Sequence, residues 1–186
     1  VIFHTAAFKH VIMCEKAPEQ ALQTNVLGTE NIIKAAKYCG VETVIFTSSD
    51  KAVNPTNVMG ASKLMGERLI TAANTGKNKN GPIFASTRFG NVLGSNGSVV
   101  SIFKKQIRQG GPVTLTDSSM TRFIMSIEQA AKLVLNSAEM AVGGEVLVTK
   151  MPTLRIEDLA KAMIKELAPL YNFKEKDISV NVIGVK

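Results

Sequence analysis

The adjacent pair Asp50-Lys51 closes the stretch Thr47-Ser48-Ser49-Asp50-Lys51, which follows a short apolar run of strand character. Ligands of open parallel sheets gather at the carboxyl ends of strands, so position alone makes these residues candidates. A carboxyl and an amine on one short loop suit proton removal at one atom and proton delivery at its neighbour. The other reading is an exposed turn with an ordinary ion pair. Lys63 stands four residues after Met59 in Val58-Met59-Gly60-Ala61-Ser62-Lys63, a spacing that puts both on one helix face. A thioether exchanges no proton, so taken alone Met59 reads as a core filler and Lys63 as a solvated charge. Gly90, Gly94 and Gly97 punctuate Arg88 to Ser98 as Gly-x-x-x-Gly-x-x-Gly, and no Gly-x-Gly occurs in the chain. This is a candidate diphosphate loop ahead of a helix, with Lys104, Lys105, Arg108 and Arg122 as nearby charge. Its alternative is a glycine-rich turn beside a solvated basic helix face. Lys9 and His10 follow the run Ala6-Ala7-Phe8. His10 could serve as a base or as a structural hydrogen-bonder. Asn25 shares a predicted helical face with Leu22, Val26 and Ile33 and needs a partner there, either in a site or on neighbouring backbone.

The elements that must position these groups are legible as alternating patterns. Strands are expected at Val1 to His4, Thr43 to Thr47, Ile83 to Arg88, Val113 to Thr116, Glu145 to Thr149 and Ser179 to Ile183. Helices are expected between them, at Gln20 to Tyr38, Val58 to Ala73, Val99 to Arg108, Ser126 to Met140 and Ile156 to Leu167. This alternation predicts an α/β fold around a parallel sheet. Ile156, Leu159, Ala160, Met163, Ile164 and Leu167 form one apolar stripe, and Ile127, Ala130, Ala131 and Val134 are expected to be the buried face behind a Ser126 capping box. Asn74 to Gly81 reads as a solvated loop.

The 186 residues fit one domain, with a hydrophobic share of 45% and a charged share of 20% that exclude wholesale disorder. The formal charge of +7 suits an anionic partner. No basic-aromatic interleaving supports nucleic acid. Cys14 and Cys39 form no metal or disulfide framework and read as reduced thiols of a cytoplasmic protein. No apolar stretch is long enough to span a membrane. The chain opens without Met inside a strand-like run, which suggests an internal piece of a longer protein.

Together, His4 to His10, Thr24 to Thr29, Ser49 to Lys63, Arg88 to Val99 and Met120-Thr121-Arg122-Phe123 resemble one family closely. They look like CapD-type polysaccharide-biosynthesis proteins, the UDP-N-acetylglucosamine 4,6-dehydratases of the extended short-chain dehydrogenase/reductase superfamily. The resemblance implies a Rossmann-like parallel sheet with helices on both faces and part of a small C-terminal substrate-binding region. It implies one partial domain over 1–186, about 1–110 the Rossmann part and about 111–186 mainly substrate-binding, interleaved. Relatives carry a dinucleotide-binding Gly-x-x-Gly-x-x-Gly unit before the first residue here, and continue past Lys186 with Pro-Gly-Glu. Larger relatives also carry a membrane anchor upstream. Where others have Tyr-x-x-x-Lys, this chain has Met59 and Lys63, as one branch of the family does.

The same resemblance assigns roles. Lys51 would be the base at sugar carbon 5, Asp50 the acid for the leaving hydroxyl, Ser49 the partner of the 4-hydroxyl, and Lys63 the anchor of the nicotinamide ribose. NAD, or alternatively NADP, would lie against Ala6, Ala7, Lys9, Asn25, Ser48 and Lys63. The UDP-sugar would be held by Lys9, Arg88, Asn91, Ser98, Val99, Lys104 and Arg122. A homo-oligomer is implied as well. A UDP-sugar epimerase and a non-catalytic nucleotide-binding module are the competing readings.

Overall fold

The computed structural model describes residues 1–75, 81–95 and 97–184. Most of the loop expected at Asn74 to Gly81 lies outside the described residues, as do Asn96 of the glycine-rich stretch and the last two positions. In chain order the first elements are β1 (Ile2–His4), α1 (Val11–Lys16), α2 (Pro18–Ala21), α3 (Gly28–Tyr38), β2 (Thr43–Ser49), α4 (Val58–Ala72) and β3 (Ile83–Phe89). There follow β4 (Asn91–Val92), α5 (Val99–Arg108), β5 (Val113–Leu115), β6 (Thr121–Met125), α6 (Ile127–Met140), β7 (Val146–Val148), β8 (Thr153–Arg155), α7 (Ile156–Leu167) and β9 (Val180–Val182). A π-helical segment, Leu22–Leu27, joins α2 to α3, and a 3₁₀ turn, Asp50–Ala52, follows β2.

These elements form two compact units, Val1–Phe89 with Glu128–Lys150, and Gly90–Ile127 with Met151–Lys186. The first is a four-stranded sheet of order β1-β2-β3-β7, parallel throughout. Strand β2 is buried from Thr43 to Ser48, so both its faces must be covered. On one face Val44, Phe46 and Phe84 meet Ile33 and Ala36 of α3 and Ile70 of α4. On the other, Ile45 and Ala85 meet Ala141, with Val134 and Ala138 of α6 against them. Helices on both faces of a parallel sheet make this a Rossmann-like α/β arrangement.

The second unit has a core of Phe103 and Ile107 from α5, Val113 and Leu115 from β5, and Ile156, Ala160 and Ile164 from α7. The stripe expected on α7 packs as read. Strands β5 and β9 pair in parallel as a separate two-stranded sheet, while β6 pairs in parallel with β4 and antiparallel with β8. Strands β4, β6 and β8 are not among those expected from the sequence; they are only partly buried, and their few apolar residues are mixed with Asn91, Arg122 and Arg155.

Two helical faces differ from expectation. Leu22 is 51% exposed, so it does not share the face of Asn25. The π segment turns through more residues than an α-helix and rotates the phase between Leu22 and Ile33. On α6, Ile127 is 57% exposed and Ala131 is exposed, while Val134, Ser137 and Ala138 carry the packing. The buried stripe therefore starts one turn later than the apolar residues suggested.

Candidate active site

Parallel pairing brings the carboxyl ends of β1, β2 and β3 to one edge of the first sheet, where Thr5 to Lys9, Ser49 to Lys51 and Arg88 emerge. At the end of β2 the Ser49 hydroxyl accepts from the Lys51 amide at 3.2 Å, capping the 3₁₀ turn, and donates to Asp50 Oδ1 at 2.8 Å. Lys51 Nζ reaches the same oxygen at 3.0 Å. The carboxylate and the ammonium are both partly accessible, at 19% and 32% exposure. They form an ion pair, and at this distance a proton has a direct path between them.

Lys63 was a solvated charge on the sequence reading alone; in the structure it is 5% exposed. Its Nζ donates to Thr47 O at 2.9 Å and stands 4.6 Å from the centroid of the Phe46 ring. Burial, opposed by the charge of Glu67, pushes its pKa down to about 8. An ammonium has three donors, so groups beyond Thr47 O can be served. His4 lies against the same ring at 5.6 Å and shares a 3.2 Å hydrogen bond with Thr29 Oγ1. Burial, then the charge of Lys63, holds its pKa below the usual histidine value. Met59 is buried with Cys14 and Ala21 and does what a core filler does.

Asn25 is fully buried on the π segment. Its Oδ1 accepts from Phe8 N at 2.7 Å, and its Nδ2 donates to Phe8 O at 3.0 Å and to Ser62 Oγ at 2.9 Å. It thus clamps the loop carrying Ala6, Ala7 and Lys9 to the turn of α4 that carries Met59 and Lys63. Arg88 spends Nε and Nη2 on Glu67, at 2.8 and 2.7 Å. His10 is exposed and precedes α1 without capping it through its side chain.

In the second unit, Asn91 lies on β4, Ser98 precedes α5 as its N-cap, and Val99 opens that helix and packs on its core. Gly94 and Gly97 take φ of +76° and +72°, backbone that L side chains avoid, so this turn needs glycine. Lys104 is exposed on α5, and Arg122 on β6 turns its guanidinium to Thr121 O at 2.8 Å. The Ser98 hydroxyl is buried and has no hydrogen-bond partner among the described residues.

Two groups had no signal in the sequence. Gly60 lets α4 close on the backbone of Lys51: a Cβ there would overlap Lys51 O. Glu67, buried at 2%, reads as an exposed helix residue until Arg88 is seen beside it. Both depend on neighbours distant in sequence. The Ser48 hydroxyl, 4% exposed at the carboxyl end of β2, has no hydrogen-bond partner among the described residues. Buried hydroxyls are rarely left so. Together with the spare donors of Lys63, it fits a polar ligand such as a ribose.

The chain belongs to the polysaccharide biosynthesis protein family, whose model matches residues 1–186. It is 54% identical over 184 residues to the uncharacterized membrane protein MJ1061 of Methanocaldococcus jannaschii, covering 99% of this chain and 55% of that one. Against the UDP-N-acetylglucosamine 4,6-dehydratase (inverting) of Campylobacter jejuni it is 43% identical, covering 90% of this chain and 50% of the relative. A UDP-glucose 4-epimerase of Rickettsia rickettsii matches at 46%, covering 100% of this chain and 52% of the relative. The X-ray structure of Pen from Bacillus thuringiensis superposes with a TM-score of 0.93 at 46% identity, over 99% of this chain and 56% of that one. The chain thus spans about half the length of these relatives. Among the described residues no helix is long and apolar enough to cross a membrane.

Proposed function

We propose that this chain carries the reacting groups of an NAD-dependent 4,6-dehydratase acting on a UDP-N-acetylhexosamine, with UDP-N-acetylglucosamine the first substrate to try. The observation that carries the reading is the Ser49–Asp50–Lys51 cluster: an acid and an amine in contact at the end of β2, beside a helix that offers Met59 in place of a phenol. Transfer of the proton from Lys51 to Asp50 across 3.0 Å turns the ion pair into an amine and a carboxylic acid. The amine then takes the proton from sugar carbon 5, and the acid protonates the hydroxyl that leaves carbon 6 as water. That elimination restores the ion pair. Ser49 is set to bond the 4-hydroxyl. NAD, when bound, would supply acceptance of a hydride from carbon 4, as the 4-hydroxyl proton passes by way of Ser49 to solvent, and its return to carbon 6, as the Lys51 ammonium gives a proton back to carbon 5.

Lys63 and the unpartnered Ser48 hydroxyl would hold the nicotinamide ribose. Ala6, Ala7 and Lys9 would line the cofactor on the loop that Asn25 fixes. Asn91, Ser98, Val99, Lys104 and Arg122 would hold UDP, and the buried Ser98 hydroxyl has no partner among the described residues. The test is a mass spectrum of UDP-N-acetylglucosamine after incubation with the full-length gene product and NAD. A product lighter by one water supports the reading. Lys51→Ala should abolish it while nucleotide-sugar binding stays largely intact, and unchanged turnover in that variant would sink the assignment. A UDP-sugar epimerase is the second reading, favoured by the Rickettsia relative. It predicts unchanged mass with inverted carbon 4 in the proton NMR spectrum.

A further inference from the structure

Glu67 lies on α4 one helical turn beyond Lys63, so the two side chains leave the same face of the helix. Its carboxylate side chain is only 3% exposed and is gripped at both oxygens by Arg88 of β3. Burying a carboxylate this deeply costs more than a fork of hydrogen bonds reliably returns, so a purely structural staple is a poor account of it. Its neighbour explains it better. The Lys63 ammonium is itself buried, bonded to Thr47 O and seated over the Phe46 ring, where burial alone works to expel its proton.

We propose that Glu67 is a positioning residue that keeps Lys63 charged, and that Arg88 serves to fix Glu67 in that place. The inference rests on the reading of Lys63 as the ribose anchor, because a charged donor holds hydroxyls more firmly than a neutral amine. Other charged or titratable groups come from the elements around α4: His4 of β1, Arg88 of β3, Asp50 and Lys51 of the turn after β2, and Glu15 of α1, which accepts from Val58 N. The charge of Glu67 is the one that opposes burial at Lys63. His4 is biased toward its neutral form and Arg88 is held charged by Glu67.

The experiment is a titration of lysine side chains labelled with ¹³C at the ε position, in the full-length gene product without nucleotide. The Lys63 resonance is the one missing from Lys63→Arg. Glu67→Gln should lower the Lys63 midpoint by about one pH unit or more, and Glu67→Asp should restore most of that change. General loosening of the fold would do the opposite, since water raises a buried lysine's midpoint, so an unchanged or raised midpoint in Glu67→Gln overturns the proposal. Where Glu67→Gln does not fold, Arg88→Lys decides: it keeps the positive charge but loses the two-pronged hold on Glu67, so the Lys63 midpoint should fall below the parent's, and an unchanged or raised midpoint overturns the proposal. Turnover is scored separately: absence of water loss overturns the dehydratase reading and leaves this titration unaffected.

Discussion

Gly60→Ala is the sharpest test of how α4 places the reacting pair. Gly60 sits in the first turn of α4, its amide donating to the capping Asn57 Oδ1 at 2.8 Å. An added Cβ would overlap Lys51 O and stand 3.1 Å from both Lys51 C and Pro55 Cβ. Lys51 O is backbone and cannot swing aside as a side-chain end would. Relief therefore requires the Asp50–Ala52 turn to back away from α4 by about 1 Å, a misplacement that costs about 100-fold in rate where geometry governs the chemistry. Overpacking of this kind also destabilises by about 1 to 3 kcal/mol. The assay is thermal unfolding together with the rate of water loss measured by mass spectrometry, on the full-length gene product. Gly60→Ala should unfold at lower temperature, bind nucleotide sugar, and turn over about 100-fold more slowly. The control is Gly28→Ala, whose Cβ meets Gln23 O at an ordinary 3.6 Å. It should be no less stable than the parent, since alanine favours a helix by about 1 kcal/mol over glycine, and should keep its rate. A Gly60→Ala protein with the parent's rate would refute both the close approach and the dependence of the chemistry on it.

Lys63 makes stability depend on pH in a defined window. Between its folded value of about 8 and the ordinary lysine value of 10.5, the unfolded chain binds a proton that the folded chain has released, so folding is favoured as pH rises. The stability of the parent relative to Lys63→Met should therefore increase by about 3 kcal/mol across that window and stay flat below it, as read by urea unfolding. A difference that falls with pH would contradict the burial of Lys63. Asn25→Ala leaves Phe8 N without its acceptor, leaves Phe8 O with only the Cys14 thiol at 3.3 Å, and takes the Nδ2 donor away from Ser62 Oγ. It should cost about 3 kcal/mol in the same assay, and a loss below about 0.5 would show that the clamp is not holding the loop. Met59→Leu conserves volume in the cluster with Cys14 and Ala21. It should cost less than about 1.5 kcal/mol and leave turnover within a few-fold of the parent, whereas a collapse of turnover would mean the thioether does more than pack.

Much of the candidate site was legible because its parts are local. Asp50 and Lys51 are adjacent, Ser49 caps the turn they sit on, and a strand precedes them, so pattern and position suffice. The apolar stripe of α7 shows in periodicity because a long helix repeats its signal several times. Strands β4 and β8 do not, since polar Asn91, Thr153 and Arg155 break up any apolar run there.

What the sequence by itself determined is the α/β alternation and the chemistry available at the end of β2, because propensity, periodicity and adjacent side chains are written along the chain. Tertiary structure alone decided the state of those groups. Lys63 becomes a buried ammonium with a lowered pKa only when Phe46 and Thr47 close over it. Asn25 becomes a clamp only when Phe8 and Ser62 arrive from distant segments. Arg88, which the family resemblance puts on the UDP-sugar, becomes the partner of a buried carboxylate across 21 residues of sequence. Desolvation and hydrogen-bond satisfaction depend on which atoms surround a group in space, and those neighbours come together only when the chain folds.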